Sequence, residues 1–256
     1  MWRTHPKGYA PAVTLSVLPD ELFGDGVFET IHLRPSGPYL LPSHLSRLAR
    51  SASLLGLAMP DLSDVSALKS DISESALRII CTRRSHHVTT SPIPPETLRE
   101  RREGVRVISA RLGFALGGKP PWSLWEAKIL SYAENFAARR WARSRDADDL
   151  LWLATEGYAL ESPTASLVWL AGEDLCTVPP AEAQILPGTT ATHLLSLAPS
   201  VGLRPSYRMV TIDQLRGADA IWLASALRGL SFVKELDGAP RRRSRWTPIL
   251  LDLLGY

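Results

Sequence analysis

Lysine is scarce in this chain: five residues (Lys7, Lys69, Lys119, Lys128 and Lys234) stand against 24 arginines. Lys128 lies in "EAKILSYAEN", where a polar stretch gives way to an amphipathic pattern that begins at Ile129. A lysine in such half-apolar surroundings has two readings. It is a surface residue at a helix start, or it is kept for chemistry. Desolvation lowers the pKa of an ammonium group and makes the neutral amine available as a nucleophile. Such an amine condenses with an aldehyde to give a Schiff base. The decapeptide alone leaves both readings open.

Four other stretches carry groups that suit a phosphorylated aldehyde. "LPGTT" (186–190) places a glycine and two hydroxyls where a helical pattern opens, and the free N–H groups of a helix start cradle phosphate. "EGYALES" puts Glu161 at the end of an apolar strand, where a carboxylate could hold a protonated ring nitrogen. "HLSRL" sets Arg47 among apolar helix neighbours, and arginine grips phosphate through paired N–H donors. "ASALRG" follows a strand and offers Ser225 with fresh backbone donors. Taken singly, each is more readily a strand-end, loop or surface residue.

The elements that must position these residues follow from pattern. "DGVFETIHL" reads as a strand. "PSHLSRLARSASLLGL" reads as a helix with Ser43 as N-cap and Leu45, Leu48, Ala52 and Leu55 on one face. "LSDVSALKSDI" suggests another helix, and "ALRIICT" and "GVRVISARL" read as strands joined by a polar, proline-containing connection. "LGGKPPWS" (116–123) is the linker candidate, with two glycines and two prolines in eight residues. It divides the chain into an N-terminal unit, 1–118, and a C-terminal unit, 119–256. A helix from about Ile129 to Arg143 follows. "SLVWL" and "DLCTV" pair as a hairpin, while "SYRMVTI" and "DAIWLASA" read as strands. Helices and strands mix without strict βαβ alternation, so a doubly wound sheet is not indicated.

Composition narrows the function classes. A formal net charge of +3 and one tight basic run, Arg241–Arg243, give no nucleic-acid pattern. Cys81 and Cys176 sit in apolar runs, which fits reduced thiols better than a disulfide or a zinc site. The opening "MWRTHPKGYAPAV" lacks the apolar core of a signal peptide, and every apolar run is too short to span a membrane. A cytoplasmic protein is the expectation.

Six stretches, in order from Phe23 to Gly238, carry a family resemblance: "FGDGVFET", "HLSRLARSASLLGL", "AKILSYAENFA", "DADDLLWLATEGYALESPTASLVWL", "ILPGTT" and "WLASALRGLSFVKELDG". The chain resembles the class IV aminotransferases, the fold-type IV pyridoxal-phosphate enzymes, which include branched-chain and D-amino-acid aminotransferases and 4-amino-4-deoxychorismate lyases. The resemblance implies a two-domain, mixed α/β (α+β) fold of the D-amino-acid aminotransferase type. A small N-terminal α/β domain precedes a larger, barrel-like domain that binds the cofactor and carries the lysine. It implies pyridoxal 5'-phosphate as cofactor, with Lys128 as the Schiff-base lysine. Tyr132, one helical turn on, and Arg47 then bind phosphate, together with Thr189, Thr190, Ser225 and Ala226. Glu161 faces the pyridine nitrogen, and Thr30 relays protons. It also implies a small amine substrate bearing carboxylate and a homodimer, with neither nucleic acid, membrane nor metal as partner.

Within the family the chain looks most like the lyases, which release 4-aminobenzoate and pyruvate for folate or a specialised pathway. A D- or branched-chain amino-acid aminotransferase remains the alternative on the same site, and a module that keeps the cofactor without catalysis is a third reading. Arg83, Arg84, Arg111 and Arg228 are the candidates for substrate carboxylates. Two departures touch the substrate side. Ser166 stands near the place of a common asparagine, and "TRRSHH" replaces a common arginine–glycine pair.

Overall fold

The computed structural model describes residues 18–256; the segment read for a signal peptide and Lys7 lie outside them. A short helix, α1 (Pro19–Phe23), leads into an antiparallel sheet of β1 (Gly26–Arg34), β2 (Gly37–Pro38), β3 (Ser75–Thr82) and β4 (His86–Ser91), in the order β2-β1-β3-β4. Helix α2 (Leu41–Leu54) covers it, burying Leu48 and Ala52 against Val27, Ile31, Leu77 and Ile79. These are the residues the 3.6-residue period marks as its apolar face. The helix starts earlier than expected. Its N-cap is Leu40, in the left-handed region at φ 55°, and Ser43 falls inside the first turn. Pro42 suits that turn because its missing N–H has no helical partner there.

The polar connection after β3 contains more structure than its composition suggests. It forms β4 and then α3 (Pro95–Glu103). Strand β4 is exposed along most of its length, so no apolar alternation announces it. The stretch at 62–72 holds one 3₁₀ turn, Ser63–Ala67, in place of the expected helix.

The larger sheet is mixed. It contains β5 (Val105–Arg111), β6 (Asp149–Leu153), β7 (Glu161–Ser162), β8 (Ala165–Ala171), β9 (Asp174–Thr177), β10 (Arg204–Tyr207), β11 (Ala220–Ser225), β12 (Gly229–Leu236) and β13 (Ala239–Pro240). The main path runs β10-β9-β8-β11-β12-β5-β6. Pairings β9–β10, β12–β5 and β5–β6 are parallel, and the hairpins β8–β9 and β11–β12 are antiparallel. Sheet membership changes between Ser91 and Val105, upstream of the boundary at 118 that linker composition suggests.

Alternation along β8 and β11 explains why both read as continuous apolar runs. Leu167, Trp169, Ile221 and Leu223 point into one core. Val168, Leu170, Trp222 and Ala224 point into the other, under α6 (Thr189–Leu197) and α8 (Trp246–Leu253). The buried Trp222 indole donates to Thr247 Oγ1 at 3.0 Å and so fastens α8 to β11. Helices α4 (Ala133–Arg143), α5 (Pro180–Ala183) and α7 (Ile212–Arg216) complete the chain. Among the described residues no helix is long and apolar enough to cross a membrane, and no group of residues has the makings of a metal site.

Candidate active site

A cavity of about 430 Å³ opens where the two sheets meet. Lys128 lines it, but not from a helix. Helix α4 begins at Ala133 with Tyr132 as its N-cap, four residues later than the amphipathic pattern suggests. Residues 128–130 instead run extended along β1. Phe28 N–H donates to Lys128 O at 2.9 Å, Leu130 N–H to Gly26 O at 2.8 Å, and Lys128 N–H to Ser51 Oγ on α2 at 3.0 Å. Tertiary pairing overrides the local helical period. Lys128 Nζ lies 3.5 Å from Tyr132 Oη and 4.5 Å from the centroid of the Phe28 ring. The expected neighbourhood of lysine and tyrosine is therefore present, reached through a bend rather than a helix face.

Arg47, Thr189, Thr190, Ser225, Ala226, Glu161 and Thr30 all line the same cavity. Arg47 reaches it from α2 in the grip of Glu29. Its Nε and Nη2 donate to the two Glu29 oxygens at 2.7 and 2.8 Å, and Nη1 donates to Pro187 O at 3.1 Å. His44 Nδ1 lies 2.7 Å from Glu29 Oε2, and its Nε2 lies 3.5 Å from Thr189 Oγ1. Glu29 is fully buried. Burial alone would push its carboxyl up, yet the Arg47 charge and the hydrogen bonds from Arg47 and His44 hold it at about 2. Sequence reading passed over Glu29 and His44, although both lie inside the stretches that carried the family resemblance. Their role is visible once α2 packs on β1.

Helix α6 opens at the cavity with Gly188 as N-cap and no side-chain cap, which leaves its first N–H groups for a ligand. Gly188 has no room for a side chain: an added Cβ would sit 2.0 Å from Ser166 Oγ and 3.0 Å from Ser166 Cβ. Ser166 pairs with Glu161 across the β7–β8 hairpin. Glu161 is buried, and burial pushes its carboxyl up to about 7; the Leu186 N–H, 3.4 Å away, and the charges of Lys128, Lys119 and Arg47 pull the other way. A buried carboxylate with one long backbone donor fits a protonated ring nitrogen. An uncapped helix start and two hydroxyls fit a phosphate, and Arg47, whose charge is matched by Glu29, lines the same cavity. The residues present thus suit pyridoxal phosphate at both ends.

The four arginines expected to meet substrate carboxylates are not together. Arg83 and Arg84 are exposed beyond the end of β3, Arg111 is exposed at the end of β5, and none of the three lines the cavity. Arg228 does line it, but its charge is spent within the protein. Nε meets Glu100 Oε2 at 2.8 Å, Nη1 meets Asp149 Oδ2 at 2.9 Å, and Nη2 donates to Thr164 Oγ1 at 3.2 Å. Arg139 joins the same carboxylates, at 2.8 Å to Glu100 and 3.6 Å to Asp149. Two arginines and two carboxylates make a charge-balanced quartet, buried except for Arg139. Sequence reading missed Arg78. From β3 it lines the cavity, donates to Ser91 Oγ at 2.7 Å, and has no carboxylate partner among the described residues.

This fold and this lysine-centred site define a class. The chain belongs to the class IV aminotransferases: the family model described as "Amino-transferase class IV" matches residues 26–236, and the family is pyridoxal-phosphate-dependent. Among curated relatives, a bifunctional aminodeoxychorismate lyase / D-amino acid transaminase of Mycobacterium tuberculosis is 35% identical, over 88% of this chain and 86% of its own. A D-alanine aminotransferase of Bacillus licheniformis is 28% identical, over 84% and 80%. Among solved structures, a hypothetical aminotransferase from M. tuberculosis, described as an α-ketoglutarate- and PMP-bound form, superposes with a TM-score of 0.88 at 33% identity. That match covers 96% of this chain and 94% of the other. A fold IV transaminase from Curtobacterium pusillum superposes at 0.85 with 34% identity, covering 96% and 91%.

Proposed function

We propose that this chain is a pyridoxal-phosphate-dependent 4-amino-4-deoxychorismate lyase that releases 4-aminobenzoate and pyruvate. The observation that carries the reading is the wall formed by β1. Phe28 and Thr30, two residues apart, both face the cavity, and the Lys128 amine packs over the Phe28 ring. A threonine and the amine thus line the same cavity. The relative named as a lyase and a D-amino acid transaminase supports the same choice.

When bound, pyridoxal phosphate supplies an electron sink. Arg47, the α6 start and the turn at Ser225–Ala226 would hold the phosphate end, and Glu161 would hold the ring nitrogen. Lys128 would be the base that takes the proton from the ring carbon bearing the substrate amine. Thr30, on the same cavity wall, would pass a proton toward the leaving enolpyruvyl group. Aromatisation of the ring supplies the driving force. Arg78 meets one substrate carboxylate, in place of the saturated Arg228. The chain acts as a homodimer, with exposed Leu22 and Phe23 on α1 beside the open strand β4 as its apolar contact. A monomer mass by sedimentation would remove that part of the proposal.

A second reading, D-amino acid transamination, rests on Arg78 as a cation suited to a single carboxylate and on the relatives named for that activity. One experiment separates the two. The cofactor-loaded protein is given 4-amino-4-deoxychorismate, or D-alanine with 2-oxoglutarate. Equal amounts of 4-aminobenzoate and pyruvate, absent with Lys128→Ala, support the lyase. Turnover of D-alanine alone refutes it in favour of the transaminase.

A further inference from the structure

The turn between β11 and β12, residues 226–228, forms one wall of the cavity, and the proposed function assigns its start to the cofactor phosphate. Its outer side is held by a residue that lies outside the cavity lining. The Tyr256 hydroxyl donates to Ala226 O, and the Arg101 guanidinium of α3 donates to the next carbonyl, Leu227 O. A trans peptide points its C=O and the following N–H in opposite directions. Two carbonyls fastened on the outer side therefore turn the N–H groups of Leu227 and Arg228 away from Tyr256 and Arg101.

The Tyr256 ring is itself tightly lodged. It stacks on His32 of β1 with centroids 4.9 Å apart and planes 19° apart. The Arg34 and Arg101 guanidinium carbons lie 5.0 and 4.7 Å from its centroid. A Cβ on Gly229 would come within 2.8 Å of the ring. Arg34 Nη2 also donates to Leu254 O at 3.0 Å, which fixes the segment that delivers the tyrosine. One aromatic ring thus ties β1 of the smaller sheet, α3, and the β11–β12 turn of the larger sheet.

We infer that Tyr256 is a positioning residue for phosphate binding: with Arg101 it holds the 226–228 turn in the orientation that presents its N–H groups to the cofactor phosphate. The inference rests on the assignment of Ser225 and Ala226 to that phosphate. Donors fixed before binding cost no ordering when the anion arrives.

The test compares pyridoxal 5'-phosphate with pyridoxal, which lacks the phosphate, by absorbance titration of the cofactor-free protein. Tyr256→Phe keeps the ring and removes the hydroxyl. It should weaken pyridoxal 5'-phosphate binding by about five- to tenfold, the scale of one hydrogen bond, and leave pyridoxal binding unchanged. Tyr256→Leu should weaken the phosphate ester further. Ser225→Ala is the control for the underlying assignment. If Ser225→Ala lowers the preference for the phosphate ester and Tyr256→Phe does not, the tyrosine has no such role. If neither does, the assignment of the turn to phosphate fails as well, and the inference with it. Equal weakening of both ligands by Tyr256→Phe would show general loosening and also overturn it.

Discussion

Glu29 offers a sharp test of how the site is held. It is fully buried, and its two oxygens carry Arg47 and His44. Folding takes its carboxyl from an ordinary 4.5 to about 2. That difference corresponds to about 3 kcal/mol in favour of the folded state, at 1.36 kcal/mol for each pH unit. Because the folded value is depressed, this stability is fully present above pH 4.5 and is lost as pH falls toward 2. Glu29→Gln preserves shape but leaves the Arg47 cation buried without its counter-charge. Breaking a buried pair from one side costs about 3–5 kcal/mol. Urea unfolding of the cofactor-free protein at pH 7 should show a midpoint lower by about 1–2 M. At pH 3.5 the gap between wild type and variant should narrow. The double variant Glu29→Gln/Arg47→Met should lose less than the two single changes added together. Equal midpoints at pH 7, or strict additivity, would refute the claim that the pair organises α2 against β1.

Three further outcomes are expected. For Glu161, the folded carboxyl is raised from 4.5 to about 7, so the cofactor-free protein should lose stability as pH rises between those values; Glu161→Gln should flatten that slope in denaturant titrations and also slow turnover by orders of magnitude. Lys128→Ala should abolish turnover and the visible absorbance of lysine-bound cofactor while circular dichroism stays native; a wild-type spectrum would contradict the role of Lys128. Gly188→Ala drives a Cβ onto Ser166, so it should depress cofactor affinity by tenfold or more, and Ser166→Gly in the same chain should restore most of it; no rescue would mean that the helix start fails for another reason.

What could be read in the sequence was what depends on neighbours along the chain. The β8–β9 hairpin follows from two apolar runs around Gly172, and the opening of α6 follows from "LPGTT". Lys128, Glu161 and Arg47, singled out because their motifs keep order and spacing, line one cavity. Residues 128–132 were misjudged because β1 supplies the hydrogen bonds that an isolated helix would have made for itself. The pairing of Arg228 is not legible in the sequence because its partners, Glu100 and Asp149, come from α3 and β6, far away in sequence. Arg78 went unnoticed because a charged residue in an apolar strand shows its direction only when the strand is placed. Charge compensation is a property of the folded neighbourhood, and residue type alone does not reveal it.

The attachment of residues 128–130 to β1 has a consequence for recombining this chain with its relatives. By sequence the lysine belongs to the second half, with Glu161, Thr189 and Ser225. By hydrogen bonding it is joined to the smaller sheet and its helix, stitched to Gly26 and Phe28 of β1 and Ser51 of α2. A chimaera cut anywhere between Ser51 and Lys128 would inherit the lysine from one parent and its seat from the other. Crossovers that take 26–51 and 128–130 from the same parent should keep the amine in register, and the intervening β3, β4 and α3 could be exchanged with less risk to it. Sequence order would place the cut at the linker; the hydrogen bonds argue against it.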